Sequence, residues 1–413
     1  MAGSPGIVDQ LERFRFEEDG RTGGPTRTET FGAGGSMLTR YVNEFWTPRQ
    51  RQGSSIHEIS YRACFKPQLP RFFIERMSKA SDVVLDPFSG RGTTVVEAAL
   101  LGRRVISNDV NPLSMILTRP RLEPPTMDEV KSRLASIGLK EDGETNGPDL
   151  SMFYHEDTLR EILSLRRYLE DRSKDGSEDH IDRWLRMVAT NRLTGHSGGF
   201  FSVYTLPPNQ AVSPERQKLI NKKLVQVPDY RDVSKLITRK TRSLLRGVSE
   251  DDREKLREGS VTARFLELPA GDLSDVDGGG VELTVTSPPF LNIVQYSQDN
   301  WLRCWFNGID PKEVDERITA PASLEAWASE MGSVFNELYR VTREGGHVAF
   351  EVGEVRNRKI NLDETIAPLG LEAGFKCLGV LVNEQVFTKT SNIWGVSNNR
   401  RGTNTNRVVL FRK

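Results

Sequence analysis

Asp86-Pro87-Phe88-Ser89-Gly90-Arg91-Gly92-Thr93-Thr94 sits between an apolar run, Val83-Val84-Leu85, and an apolar helical pattern, Val95-Val96-Glu97-Ala98-Ala99-Leu100-Leu101. Strand pattern, glycine turn and helix in that order make a nucleotide-binding βα unit. Gly90 and Gly92 carry no Cβ, so the backbone can turn tightly there and approach a ligand closely. Asp86, at the strand end, is placed to accept a hydrogen bond or to face a positive charge. Downstream, Arg104-Val105-Ile106-Ser107-Asn108-Asp109 reads as the next strand, and a carboxylate at its end suits the two hydroxyls of a ribose. Many βα units carry such a turn for packing alone, so the turn does not decide a function by itself.

A second stretch, Thr286-Ser287-Pro288-Pro289-Phe290, follows another strand pattern, Val281-Glu282-Leu283-Thr284-Val285. Two prolines directly after a strand stop its extension and fix a rigid loop at its C-terminal end, the edge where open α/β sheets hold ligands. Together the two stretches resemble the amino-methyltransferases of DNA, which use S-adenosylmethionine and carry an Asp-Pro-Phe-x-Gly-x-Gly-Thr-Thr turn with a Ser/Asp-Pro-Pro-Tyr/Phe loop. The resemblance covers residues 57–118 and 263–413. It implies an α/β fold, a Rossmann-like doubly wound, mostly parallel sheet of the class I methyltransferase kind. It also implies that Asp86, Pro87, Phe88, Gly90, Gly92, Thr93, Thr94, Asp109 and Asn111 hold the cofactor. Phe65, Lys66 and Pro67 would border its methionine end, Asp272 would accept from its adenine amine, and Leu273 would cover the ring.

The implied chemistry explains the residues. An exocyclic amine is a poor nucleophile because its lone pair is delocalised into the ring. Acceptors that bind its hydrogens localise that pair, a task that fits Ser287 Oγ and the Pro288 carbonyl, with Pro289 stiffening the loop. Phe290 would stack on a base swung out of the duplex. Methyl transfer then needs positioning in a dry site more than a strong base. Serine in the first loop position resembles the cytosine-N4 branch, whereas aspartate is usual for adenine-N6. An adenine-N6 enzyme, an RNA amino-methyltransferase and a non-catalytic DNA-binding protein on a degenerate methyltransferase fold stay open as alternatives.

The 57 Lys and Arg residues balance 57 Asp and Glu, so attraction to nucleic acid must come from local asymmetry. Residues 126–258 supply it. They interrupt the α/β alternation and read as an inserted, mainly helical target-recognition region, opened by a Thr126/Glu129 capping box. Helical patterns over 157–169 and 181–193 lead to a glycine-rich loop with His196, expected to touch DNA. A cation-rich stretch then includes Lys222, Lys223, Arg239, Lys240 and Arg242, the candidate phosphate contacts. Residues 1–36 are poor in apolar side chains and read as a flexible arm. Residues 37–125 then form the cofactor-binding half and 259–413 the catalytic half. Phe72, Phe73, Trp301 and Trp305 are expected in cores, and a helix over 324–341 is expected to stop at Gly345-Gly346.

Cys64, Cys304 and Cys377 form no metal-ligand spacing and no disulfide framework, so no metal is expected. No apolar run is long enough to span a membrane, and no signal-peptide pattern opens the chain. The expected setting is a bacterial or archaeal cytoplasm, with double-stranded DNA as partner, a cognate restriction or defence system beside it, and a monomer or homodimer as the working form.

Overall fold

The computed structural model describes residues 6–18, 21–47, 53–62, 64–139, 148–206, 211–289, 296–318, 321, 323–355, 360–384 and 405–413. The chain opens with α1 (Ile7–Glu12), a small hairpin of β1 (Arg15–Glu18) and β2 (Arg21–Pro25), then β3 (Arg27–Ala33) and β4 (Ser36–Asn43). After α2 (Gln68–Met77) come β5 (Val83–Asp86), α3 (Thr93–Leu100), β6 (Arg104–Asn108) and α4 (Leu113–Thr118). Among the described residues six helices follow: α5 (Met127–Ile137), α6 (Glu156–Lys174), α7 (His180–Thr190), α8 (Pro214–Leu224), α9 (Val233–Leu245) and α10 (Glu250–Thr262). The alternation resumes with β7 (Arg264–Leu266), β8 (Val281–Thr286), α11 (Tyr296–Asn307), α12 (Pro311–Arg317) and α13 (Leu324–Val341). It ends with β9 (Thr342–Val352), a short pair β10 (Glu354–Val355) and β11 (Ile360–Asn361), α14 (Leu362–Glu372), β12 (Lys376–Glu384) and β13 (Thr405–Arg412).

Among the described residues nine strands make one sheet in the order β3-β4-β12-β13-β9-β8-β5-β6-β7. From β9 to β7 every pairing is parallel, and β13 runs antiparallel between β12 and β9. This is the α/β, mostly parallel architecture expected from the strand and helix patterns. Connections leave β5 in one direction through α3 to β6 and β7, while β8 and β9 lie on its other side. The order therefore reverses at β5/β8, which opens a crevice beyond the C-terminal ends of those two strands.

Apolar side chains of α13 and α14 cover one face of the sheet, through Trp327, Phe335, Leu338 and Ile366 against Phe350 and Phe411. On the other face, α2 and α3 pack Phe72, Phe73, Val96 and Ala99 against Val84, Leu283 and Val408. The Thr126 capping box is present, with Thr126 and Glu129 exchanging side-chain-to-backbone bonds. A third core belongs to α5–α9, built on Phe153, Trp184, Leu185 and Ile237, with Trp301 and Trp305 packed against it. The end of the inserted region differs from the sequence reading. α10 leaves that core and lies on α3 so closely that a Cβ on Gly259 would sit 2.9 Å from Ala99 Cβ. It serves as the crossover helix back to the sheet, so position 258 falls inside an element of the α/β layer.

The arm read over residues 1–36 is corrected too. β3 and β4 form a hairpin at the sheet edge, joined by Gly34 and Gly35 at φ +56° and +74°, and β4 pairs in parallel with β12. Adjacent positive-φ glycines are a hairpin signal, because the turn they form matches the strand twist. Main-chain pairing, with Phe31, Ala33 and Leu38 buried under α14, supplies the stability that the sparse apolar content concealed. The glycine stop after α13 also fails: the helix ends at Val341, and Gly345 and Gly346 lie inside β9.

Candidate active site

The crevice at the strand reversal is a cleft of about 230 Å³. Pro87, Phe88, Ser89, Gly90 and Thr93 line it from the glycine turn, Asp109 and Val110 from the end of β6, and Ser287, Pro288 and Pro289 from the loop after β8. The two stretches that carried the sequence reading thus face one space. Thr286 Oγ1 donates to Asp86 Oδ1 at 2.6 Å, and Thr94 Oγ1 donates to the Val285 carbonyl at 3.0 Å, tying the turn to β8.

Two glycines fulfil different requirements. Gly90 and Gly92 both take positive φ, +52° and +70°. A Cβ on Gly90 would meet nothing closer than Cys64 Sγ at 3.7 Å, whereas one on Gly92 would lie 2.2 Å from Thr118 Oγ1. Gly90 is needed for conformation, Gly92 for conformation and space. Gly90 N–H points at Asp109 Oδ2 (2.7 Å) and Asn111 N–H at Asp109 Oδ1 (2.9 Å), which fixes the carboxylate at the cleft wall. Burial raises the Asp109 carboxyl to about 6 and the fully buried Asp86 to about 7.

That pair has a consequence for stability. An unfolded aspartate ionises near pH 4 (a value of about 3.9), so the folded chain holds these protons more tightly than the unfolded one. Folded-state stability is then greatest below about pH 4 as far as these two groups go, and it falls as pH climbs through their raised values. Asp86→Asn is expected to shrink the drop in melting temperature between about pH 5 and about pH 8, because it removes the larger shift. Thermal melts at the two pH values check this; an unchanged drop removes Asp86 as its source.

Not every expected residue reaches the cleft. Asp86, Gly92 and Thr94 stand behind its wall as ties, and Asn111 supports Asp109 and donates to Tyr61 Oη at 3.2 Å. Phe65 lines the cleft; Lys66 and Pro67 do not. Asp272 is exposed, and Leu273 is fully buried against α13 in the core. Leu268, Pro269, Ala270 and Gly271, the four residues just before Asp272, face the cleft instead. Phe290 lies outside the described residues.

Sequence reading missed other wall residues. Tyr61, Arg62 and Cys64 come from the segment before α2, which Arg91 pins by donating to the carbonyls of Ile59 (2.9 Å) and Phe65 (3.1 Å). Arg317, Glu330 and Ser333 close the far side. The most telling omission is Glu351. Ser287 Oγ donates to its Oε2 at 2.5 Å, and Asn406 Nδ2 donates to its Oε1 at 3.1 Å. Burial raises the Glu351 carboxyl above the ordinary range. Its sequence signal was present: one carboxylate inside the otherwise apolar run Val348-Ala349-Phe350-Glu351-Val352. The loop itself is held by Trp327 Nε1, which donates to the Pro289 carbonyl at 3.0 Å.

The expected DNA contacts separate into two groups. On α9, Lys240 donates to the Glu58 carbonyl and Arg239 to the Gly198 carbonyl (2.7 Å), so both brace neighbouring segments. Burial lowers Lys240 to about 8. Half-buried His196 sits beside Phe200 with ring centroids 6.3 Å apart. Lys222, Lys223 and Arg242 are exposed.

Residues 28–115 match the DNA methylase family model. That segment opens within β3, inside the stretch read as an arm, and runs through the glycine turn into α4. The type II methyltransferase M.BsoBI of Geobacillus stearothermophilus is 24% identical over 351 residues, 77% of this chain and 63% of its own length. The type II methyltransferase M2.DpnII of Streptococcus pneumoniae is 43% identical over 89 residues, 20% of this chain and 31% of that one. The chain thus spans less than two thirds of the length of either relative. Among solved structures, the rRNA methyltransferase aviRa of Streptomyces viridochromogenes aligns over 87% of this chain and 90% of its own at 13% identity, with a TM-score of 0.34. Among the described residues no helix is long and apolar enough to cross a membrane.

Proposed function

We propose that this chain is an S-adenosylmethionine-dependent DNA methyltransferase that methylates an exocyclic base amine, cytosine N4 in the finer reading. One observation carries it: the glycine turn and the Ser-Pro-Pro loop line the same cleft, with Ser287 bonded to a buried carboxylate. The type II methyltransferase relatives and the DNA methylase match over 28–115 support the choice of DNA.

The cleft suits the cofactor by its donor set. Phe65, Phe88, Leu268 and Pro269 offer apolar faces to a flat ring, and the Asp109 carboxylate, fixed by two backbone N–H groups, offers acceptors to a ribose. When bound, S-adenosylmethionine supplies an electrophilic methyl on a sulfonium. The chain's own residues manage the amine. Because Ser287 gives its hydrogen to Glu351, its oxygen lone pairs are left to accept an amine N–H. The Pro288 carbonyl, which accepts no hydrogen bond among the described residues, offers a second acceptor. Holding both hydrogens aims the nitrogen lone pair. As the nitrogen gains its methyl it must lose a proton, and the path Ser287 Oγ to Glu351 accepts it, helped by the carboxyl's raised affinity for protons. Serine rather than aspartate at 287 favours cytosine N4.

Two assays test substrate and cofactor. Calorimetry should detect S-adenosylmethionine binding to the chain alone, and tritiated methyl should pass to unmethylated duplex DNA and not to RNA. Label in RNA only would reassign the enzyme; absence of cofactor binding would leave the non-catalytic reading.

A further inference from the structure

Six of the eight large apolar side chains that stand exposed among the described residues lie between Tyr204 and Tyr230. They concentrate at the end of α8: Leu219 is 63% exposed, Leu224 48%, Val225 92% and Val227 83%. The same helix carries Arg216, Lys218, Lys222 and Lys223, all exposed and without an ion pair among the described residues. By contrast Arg231, Lys235 and Arg246, like Arg239 and Lys240, are taken up by neighbouring carboxylates or carbonyls. Exposed cations, Lys222 and Lys223 among them, and bare apolar groups therefore share the end of α8.

Val225 adds a second oddity. It holds φ +50°, a left-handed conformation unfavourable for any β-branched residue, at the very place where a helix C-terminus usually takes glycine. The turn is pinned rigidly. Gln226 N–H bonds the Asn221 carbonyl at 3.1 Å, and the Gln226 amide reaches the Tyr204 carbonyl (2.9 Å) and Asn221 Oδ1 (2.8 Å). Gln217 and Asn221 anchor the inner face of α8, the latter on the Met152 carbonyl at 2.8 Å. Gln226 thus turns inward while Val225 and Val227 stand out in solvent.

We propose that the Leu224–Val227 turn is an apolar wedge that enters duplex DNA, with Lys222 and Lys223 on the flanking phosphates. This deepens the DNA methyltransferase reading and rests on it. Swinging a base out of the helix costs stacking, and an apolar side chain placed against the opened step offsets part of that cost. α8 is tied to the active-site wall: Arg62, which lines the cleft, pairs with Asp299, whose carbonyl accepts from Ala211 N–H at 2.7 Å just before the helix. The eleven-residue helix that begins three residues after Ala211 is about 16 Å long and ends at the tip.

Val225→Gly is the informative substitution, because it relieves the strained backbone while removing the side chain. Its melting temperature should equal or exceed that of the wild type, and S-adenosylmethionine binding should be unchanged. Combined with Val227→Ser, it should weaken affinity for a fluorescein-labelled duplex of mixed sequence ~10-fold and abolish the linking-number change that the wild type is expected to leave when a nicked plasmid is ligated with protein bound. Lys222→Gln with Lys223→Gln should instead flatten the dependence of log affinity on log salt by about 2. Wild-type affinity and unwinding in the Val225→Gly/Val227→Ser variant would overturn the wedge. So would a wild-type dimer in sedimentation that the variant dissolves with DNA affinity intact, which would mark a surface for a second copy. In both cases methyl transfer to DNA would persist, so the enzymatic reading would survive; a wild type that binds no duplex at all would sink both.

Discussion

Ser287→Ala is expected to bind S-adenosylmethionine as the wild type does and to lose about 10²–10³ in kcat, the size of effect seen when one aimed polar contact to a reacting group is removed. The apolar faces and the Asp109 carboxylate proposed to hold the cofactor lie elsewhere in the cleft, so the loss should fall on turnover and leave cofactor affinity intact. Glu351→Gln separates positioning from proton acceptance. The amide still accepts a hydrogen bond from Ser287 Oγ, but it cannot take the proton onward. The wild-type rate should rise with pH as Glu351 ionises, through a range lying above that of an ordinary glutamate because burial raises it. In Glu351→Gln that limb should vanish and the rate stay low throughout. A variant that keeps both wild-type kcat and the pH limb would take Glu351 out of the proton path and leave it a structural anchor for the loop.

Gly92→Ala carries the largest expected cost in stability. The added Cβ would sit 2.2 Å from Thr118 Oγ1 and 2.3 Å from its Cγ2, at a φ of +70°. Thr118 is fully buried at the end of α4 and cannot swing away. A left-handed alanine costs about 1 kcal/mol and overpacking a dense core another 1–3, so the sum is about 3 kcal/mol. Gly90→Ala is the control, with the same backbone demand but only ordinary contacts at 3.7 Å and beyond, for about 1 kcal/mol. Urea unfolding of both variants compares them. Adding Thr118→Ala to Gly92→Ala should recover part of the loss through coupling of neighbours. Equal costs for the two glycine variants would mean that Thr118 does not crowd position 92.

Much of this arrangement was legible in the chain because its signals are local. Val83-Val84-Leu85 before a glycine turn, and a β-branched run before two prolines, announce strand ends without any knowledge of partners. Because β5 and β8 are parallel neighbours, both turns then fall on one edge. Which of Leu268, Ala270, Asp272 and Leu273 line the cleft after β7 is not legible in the sequence, because it depends on how tightly the chain bends over α13. There a Cβ on Gly271 would lie 3.2 Å from Ser333 Cβ, a contact no pattern reveals. The N-terminal hairpin reads as an arm in the sequence because its low apolar content outweighs the Gly34-Gly35 turn. Charge misled in the other direction. Lys240 and Lys222 look alike in sequence, yet one is spent on a carbonyl and the other faces water, a difference set by which side of each helix packs.

The most direct measurement is nucleoside mass spectrometry of unmethylated duplex DNA incubated with the protein and S-adenosylmethionine carrying a deuterated methyl. A deuterated methyl on an exocyclic base nitrogen, on cytosine N4 in the finer reading, is the expected result. Deuterium on a ring carbon, or in no DNA nucleoside at all, would contradict a cleft in which Ser287 aims an amine.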